Sequence, residues 1–152
     1  MKPLRIGAGA GYSGDRIDPA RDLAERGQLD VLVFECLAER TIALAQLQRS
    51  LDPEQGYDPL LQDRMRAVLP ACVAQGVTII TNMGAANPMA AGRAVLAVAR
   101  ELGLPRLRVA VVTGDDVLPW MQNHDAPLLD SQDTVRSLDG RLISANAYVG
   151  AD

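Results

Sequence analysis

Residues 4–14 read Leu-Arg-Ile-Gly-Ala-Gly-Ala-Gly-Tyr-Ser-Gly, so a short apolar run, Leu4 to Ala8, passes directly into a glycine-rich segment. Similar runs recur along the chain, and most end in Gly, Asp, Glu or Asn: Val31 to Phe34, Val77 to Thr81, Val109 to Thr113 and Leu142 to Val149. Strands of a parallel sheet show this pattern, because their faces are buried while ligand-binding groups collect beyond their carboxyl ends. The runs therefore predict an α/β protein with a binding site along one edge of the sheet.

Amphipathic segments separate these runs and predict four helices, at about Pro19 to Arg26, Glu39 to Ser50, Leu61 to Cys72 and Pro88 to Leu102. Strands that alternate with helices imply right-handed crossovers and helices on both faces of a mostly parallel sheet. We therefore predict a Rossmann-like, three-layer domain. Towards the end of the sequence, Asp139-Gly140 separates residues 134–138 from residues 141–149, which predicts a C-terminal β-hairpin.

Length and charge limit the class of protein. The chain has 152 residues, the size of one domain, and we predict a single α/β domain over residues 1–152. No helix follows the last predicted strand, so we expect this domain to be part of a longer protein. The formal net charge is -4 and the arginines are scattered, which argues against nucleic acid as a partner.

Membrane and metal signals are weak. No run approaches the roughly 18 apolar residues of a membrane span, and no signal-peptide h-region precedes the first strand, so we expect a cytoplasmic protein without membrane partners. Cys36 and Cys72 lie in apolar stretches without metal-ligand spacing and are interpreted as reduced, packed thiols. Asp115-Asp116 fits either an oxygen-ligated Mg²⁺ or a helix cap, and we assign no metal site.

Gly9, Gly11 and Gly14 form a Gly-x-Gly-x-x-Gly pattern after the first predicted strand, where backbone N–H groups hold a pyrophosphate in dinucleotide-binding folds. The helix start near Asp18 makes the loop longer than this fingerprint requires, and Asp15 adds a carboxylate close to any phosphate. Three interpretations stay open: a dinucleotide site, a loop that holds the anionic end of another ligand, and a turn that needs only positive φ.

Glu35 stands at the carboxyl end of the second predicted strand. A carboxylate that emerges from a buried strand is partly desolvated, which suits general acid or base catalysis. The structural alternative is an ion pair with an arginine such as Arg16 or Arg40, or a helix cap. We keep both interpretations.

Asn82 and Asn87 follow the third predicted strand. The amide of Asn82 can donate to and accept from a carboxylate or thioester carbonyl, and Asn87 is a natural N-cap before Pro88. Asp115 follows the fourth run in the corresponding position. We therefore predict ligand contacts from Gly9, Gly11, Gly14, Arg16, Asn82, Asn87 and Asp115, with Glu35 and Asp15 as catalytic candidates.

Three stretches carry a resemblance to a known family: residues 9–20, Gly-Ala-Gly-Tyr-Ser-Gly-Asp-Arg-Ile-Asp-Pro-Ala; residues 34–41, Phe-Glu-Cys-Leu-Ala-Glu-Arg-Thr; and residues 144–151, Ser-Ala-Asn-Ala-Tyr-Val-Gly-Ala. On these stretches the chain resembles the amino-terminal part of the acyclic terpene utilisation (AtuA-like) family, long carried as a domain of unknown function. The resemblance implies a catabolic setting in which branched acyclic terpenoids are degraded as acyl-CoA thioesters. It brings no established catalytic residues.

Taken with the resemblance, the residues predict an enzyme that acts on a carboxylic acid or acyl-CoA thioester in acyclic terpenoid or branched-acid degradation. The reaction class and the cofactor stay unassigned. The alternatives are a nucleotide-binding module and a non-catalytic interaction subunit. We also expect a homo-oligomer, and expect the remainder of a longer protein or a partner chain as a further binding partner.

Overall fold

The computed structural model describes residues 3–147 of the chain. The chain forms two compact units, Met1–Val111 and Val112–Asp152. The first unit contains, in order, β1 (Ile6–Ala10), α1 (Asp18–Arg26), β2 (Val31–Phe34), α2 (Glu39–Leu51), α3 (Leu61–Gln75), β3 (Thr78–Thr81) and α4 (Pro88–Glu101). The four predicted helices and the first three predicted strands are confirmed. No helix within residues 3–147 is long and apolar enough to cross a membrane.

The three strands form a parallel sheet in the order β1-β2-β3, so the mixed α/β class with a parallel sheet is confirmed. Ile6 pairs with Val31, which pairs with Thr78, and the register shifts between Ala8 and Ala10. The irregularity places Gly9 against the ring of Phe34. Because all strands run in one direction, their carboxyl ends and the loops that follow lie at the same edge of the sheet.

One face of the sheet carries the core. Leu32 and Phe34 of β2 are buried together with residues of α1, α3 and α4, and α3 packs against both α1 and α4. The opposite face is less covered, since Ile6 is 61% exposed and Ile80 is 55% exposed. The described part of the first unit thus has helices α1, α3 and α4 on one side, and the expected three-layer arrangement is not confirmed.

The fourth apolar run, Val109 to Thr113, does not form a strand. A side chain added at Gly92 of α4 would meet Val111 at 2.8 Å, so Val111 packs closely on that helix. Apolar contact alone does not define a strand, which also requires ladder hydrogen bonds to a neighbour. The apolar pattern therefore predicted that this run packs against the core, but it did not predict whether the run pairs with a neighbouring strand.

The second unit contains a short helix, α5 (Leu118–Asn123), and a 3₁₀ helix (Val135–Leu138). The predicted β-hairpin is not confirmed within the described residues. Asp139 and Gly140 adopt the left-handed φ values that their turn signal requires, 47° and 76°, but the chain enters this turn from the 3₁₀ helix. An isolated antiparallel bridge joins Asp116 to Asn146. Residues 148–149 of the expected last strand lie outside the described residues.

Candidate functional site

A cleft of about 130 Å³ lies at the carboxyl-terminal edge of the sheet in the first unit. The loops after all three strands contribute to it, and α2 and the loop before α3 complete its walls. Its lining comprises Ser13, Cys36, Thr41, Leu44, Ala45, Gln48, Tyr57, Asp58, Pro59, Asn82, Met83 and Ala85. We refer to this set as the strand-end cleft. It occupies the position that the sequence pattern predicts for a ligand site.

Glu35 and Asn82 meet beside this cleft. Asn82 Nδ2 donates to Glu35 Oε1 over 2.9 Å, and Asn82 Oδ1 accepts from the Cys36 backbone N–H over 2.7 Å. The Leu37 N–H also donates to Glu35 Oε1, over 3.1 Å. The Asn82 amide thus ties the ends of β2 and β3 together and fixes the Glu35 carboxylate. Glu35 is exposed, so the desolvation expected for this side chain is not found.

In the glycine loop, the Asp15 carboxylate occupies a backbone donor that a bound phosphate would otherwise use. The Gly11 N–H donates to Asp15 Oδ2 over 2.7 Å, so the side chain of Asp15 takes a donor that a bound phosphate would use. A Cβ at Gly9 would lie 2.7 Å from the Phe34 ring, and one at Gly14 would lie 2.5 Å from the Tyr12 ring. None of the three motif glycines has positive φ. Gly9 and Gly14 therefore allow the close approach of an aromatic ring, whereas a Cβ at Gly11 would meet only Asp15 Oδ2, at 3.8 Å. The positive-φ interpretation does not hold for any of the three.

Arg64 was not among the residues singled out from the sequence. Its side chain is 0% exposed, and Nη2 donates to the backbone carbonyls of Ser13 and Asp15 over 2.8 and 3.0 Å. Nη1 lies 3.3 Å from Asp58 Oδ1 and 3.2 Å from Cys36 Sγ. A sequence signal existed, because Arg64 interrupts the apolar face of α3 at a helical spacing from neighbouring core residues.

Cys36 lines the cleft as a protonated thiol. Burial raises its pKa to about 11, an effect that the nearby Arg64 guanidinium only partly opposes. A thiol is a poor nucleophile compared with the thiolate. At neutral pH the Cys36 side chain therefore forms part of the cleft wall and does not act as a nucleophile. The sequence interpretation of Cys36 as a packed, reduced residue agrees with its burial as a free cysteine.

Some polar side chains of the cleft are paired within the protein, and others have no partner among the described residues. Asp58 pairs with Arg64, so its charge is compensated within the protein. The side chains of Ser13, Gln48 and Tyr57 make no hydrogen bond to other described residues, and all three line the cleft. The surrounding wall is largely apolar. Such a surface suits an uncharged, mostly hydrocarbon group that presents few polar atoms.

Asn87 and Asp115 lie in other settings. Asn87 is buried, caps α4 by accepting from the Ala90 N–H, and donates to the carbonyls of Pro53 and Gln55. Its amide is therefore occupied by the protein. Asp115 belongs to the second unit, where its Oδ2 accepts from Asn146 Nδ2 over 3.0 Å. Arg16 is exposed after the glycine loop.

Residues 3–147 contain no group of three His, Cys, Asp or Glu side chains close enough to hold a metal ion. Asp116, the other member of the acidic pair considered for Mg²⁺, accepts from the Leu118 N–H over 3.1 Å at the start of α5. This contact closes a turn immediately before α5, whose N-cap residue is Val117, so the expected side-chain cap is not formed.

A mostly apolar cleft beyond the strand ends of a parallel sheet is where α/β proteins usually bind their ligands. The family model of the acyclic terpene utilisation family protein AtuA matches residues 4–152. The chain belongs to this family, as its glycine loop and the segment around Glu35 indicated. Comparison with curated proteins and with solved structures gives no match.

Proposed function

We propose that the strand-end cleft binds the branched hydrocarbon end of an acyclic terpenoid acid or of its CoA thioester, in a catabolic enzyme. The observation that carries this proposal is the lining of the cleft. Leu44, Ala45 and Met83 form apolar wall, and the charge of Asp58 is paired. Membership of the AtuA family adds a role in acyclic terpene utilisation.

The size of the cleft limits how much of the ligand it holds. An apolar cavity of about 150 Å³ accommodates a molecule the size of benzene. A cleft of about 130 Å³ therefore suits roughly five or six carbons, which corresponds to one branched isoprenoid unit. The rest of the ligand then extends out of the cleft, past Glu35 and Asn82.

Chemistry in this proposal takes place at the Glu35–Asn82 pair. Asn82 holds the Glu35 carboxylate through a 2.9 Å hydrogen bond, which orients it to accept or donate a proton at the functional group of the ligand. Gly9 lies near the end of β1, and Gly11, Gly14 and Asp15 lie in the loop that follows it. Because Asp15 already accepts from Gly11, we place the acidic or CoA end of the ligand nearer Arg16, whose side chain is exposed.

The finer sequence predictions enter here as proposals. The parallel order β1-β2-β3 is compatible with one half of a Rossmann-like sheet, and we retain that arrangement for the complete domain. We also retain a cytoplasmic location and action on acyl-CoA intermediates. Neither a cofactor nor a reaction class is assigned.

A calorimetric titration tests the proposal. The probes are citronellic acid, which is an acyclic terpenoid acid, its CoA thioester, and NAD and ATP as nucleotide controls. We expect binding of the thioester and no binding of NAD or ATP. Binding of a nucleotide without binding of the thioester or the acid would favour the nucleotide-binding alternative instead.

Alanine substitutions at two leucines of α2 test whether the ligand binds in the cleft. Leu44 and Leu47 are exposed to a similar degree, 49% and 45%, but only Leu44 lines the cleft. Partial burial of a leucine against the ligand is worth about 1 kcal/mol, so Leu44→Ala is expected to raise Kd about fivefold. Leu47→Ala is expected to leave Kd unchanged. Equal effects of the two variants would remove the cleft as the binding site.

A second candidate function is self-association through the open face of the sheet, which would produce the expected homo-oligomer. Ile6 and Ile80 lie on that face and are mainly exposed, whereas parallel sheets are normally covered on both sides. Sedimentation of the chain and of Ile80→Lys distinguishes this candidate. A dimer that the lysine dissociates supports it, and a monomer at all concentrations rejects it.

A further inference from the structure

We infer that Arg64 is a positioning residue for the strand-end cleft. It does not line the cleft, but it holds in place residues that do. Its side-chain contacts are Ser13, Cys36, Asp58 and Met83 together with the Asp15 carbonyl. Those first four residues all line the cleft. The inference rests on the proposed function and identifies the group that holds the site in shape.

The four cleft-lining partners of Arg64 come from four different segments of the chain. Ser13 follows β1, Cys36 follows β2, Asp58 precedes α3, and Met83 follows β3. These segments are the loops that carry the cleft lining at the sheet edge. One side chain of α3 therefore contacts every strand-end loop of the sheet.

The geometry requires the planar fork of arginine. Nη2 donates to two carbonyls of the glycine loop, while Nη1 faces Asp58 and the sulfur atoms of Cys36 and Met83. A guanidinium presents its donors in fixed, diverging directions, whereas a lysine ammonium is a single point of charge. Lysine at this position would pair with Asp58 and leave the Ser13 and Asp15 carbonyls without that donor.

The burial of Arg64 favours a positioning role over a purely structural one. A fully buried ion pair is weak evidence for stability, and well-packed apolar side chains of similar volume often replace one without loss. Arg64 Nε has no hydrogen-bond partner among the described residues, so the site is not optimised for a satisfied core. The contacts that Arg64 does make are those that order the glycine loop and the cleft wall.

The contacts also reach the Glu35–Asn82 pair. The backbone N–H of Cys36 donates to Asn82 Oδ1, and Met83 directly follows Asn82 in the chain. By holding Cys36 and Met83, Arg64 sets the positions of the two segments that carry this pair. Loss of the fork is therefore expected to affect both the hydrocarbon wall and the carboxylate beside it.

The test uses the double variant Arg64→Met/Asp58→Asn, which removes both buried charges together and keeps an acceptor oxygen for the Leu60 N–H. The control is Arg66→Met, the same change at an exposed arginine two residues away on α3. Two readouts are recorded: amide hydrogen exchange without ligand, and Kd for the CoA thioester of citronellic acid.

We expect the double variant to fold, with exchange in residues 11–16 and 82–85 at least tenfold faster than in the unmodified chain and Kd at least tenfold higher. Exchange in α1 and α4 is expected to stay unchanged, which a general loss of core stability would not allow. The control is expected to match the unmodified chain in both readouts. Unchanged loop exchange and unchanged Kd in the folded double variant would overturn the inference.

The two proposals fail separately. If the unmodified chain does not bind the thioester, the proposed function fails, and loop exchange in the double variant still decides the role of Arg64. If the double variant does not fold, Arg64→Lys takes its place, since it keeps a charge beside Asp58 but loses the fork. Faster exchange confined to the glycine loop then supports the inference, and unchanged exchange there contradicts it.

Discussion

A methyl group added at Gly9 is expected to destabilise the first unit, whereas the same group added at Gly11 is expected to be tolerated. At Gly9 the new Cβ would lie 2.7, 2.9 and 3.1 Å from Cε1, Cζ and Cδ1 of Phe34. Phe34 is 1% exposed and sits in the core, so its ring has little room to move. At Gly11 the nearest atom is Asp15 Oδ2 at 3.8 Å, an ordinary contact.

The magnitude follows from this difference in space. Overpacking in a well-packed core costs about 1–3 kcal/mol, and the lower entropy of the unfolded alanine chain returns about 0.4–1 kcal/mol. Gly9→Ala is therefore expected to lower the free energy of unfolding by about 1–2 kcal/mol, or Tm by about 2–8 °C. Gly11→Ala is expected to stay within about 0.5 kcal/mol of the unmodified chain, since its added methyl meets no obstacle.

Urea unfolding followed by far-ultraviolet circular dichroism measures the effect, because α1 to α4 all belong to the first unit. The single tryptophan, Trp120, lies in the second unit and its fluorescence is a poorer probe of this change. Equal destabilisation by the two substitutions would refute the packing explanation. A glycine loop built for pyrophosphate would instead show loss of nucleotide binding in Gly11→Ala with stability intact.

Two further predictions concern buried polar groups. Asn87→Asp keeps the acceptor that caps α4 but loses the donors to Pro53 and Gln55, so urea unfolding is expected to show a loss of about 1–3 kcal/mol, with a larger loss in Asn87→Ala. Burial raises the pKa of the Cys36 thiol to about 11. The folded chain therefore keeps this proton where the unfolded thiol, with a pKa of about 8.5, has lost it. The resulting stability is complete below about pH 8.5 and is lost as pH rises towards the folded pKa, and unfolding curves of Cys36→Ala are expected to show a shallower decline over that window. Identical pH profiles for the two chains would contradict the assignment.

The sequence predicted the elements whose signals are local. Helix periodicity predicted α1 to α4, with the Asn87 cap marking the start of α4, and buried apolar runs predicted β1 to β3. The meeting of Glu35 and Asn82 followed from parallel topology, since residues at the carboxyl ends of adjacent strands share one edge.

The remaining features depend on contacts that local patterns do not encode. Val109 to Thr113 has the composition of a strand, but pairing requires a partner that the pattern does not specify. Asp139-Gly140 predicts a turn, but the conformation of the residues on either side depends on their tertiary contacts. The occupation of the Gly11 N–H by Asp15 and the burial of Arg64 both depend on side-chain geometry at the assembled sheet edge.

The most direct test of the central claim is a titration of the isotopically labelled chain with the CoA thioester of citronellic acid, followed through backbone amide chemical shifts. The account predicts that the largest changes map to Ser13, Cys36, Leu44, Tyr57 and Met83, around the strand-end cleft. Shifts confined to residues outside that lining, or no shifts at saturating ligand, would contradict it.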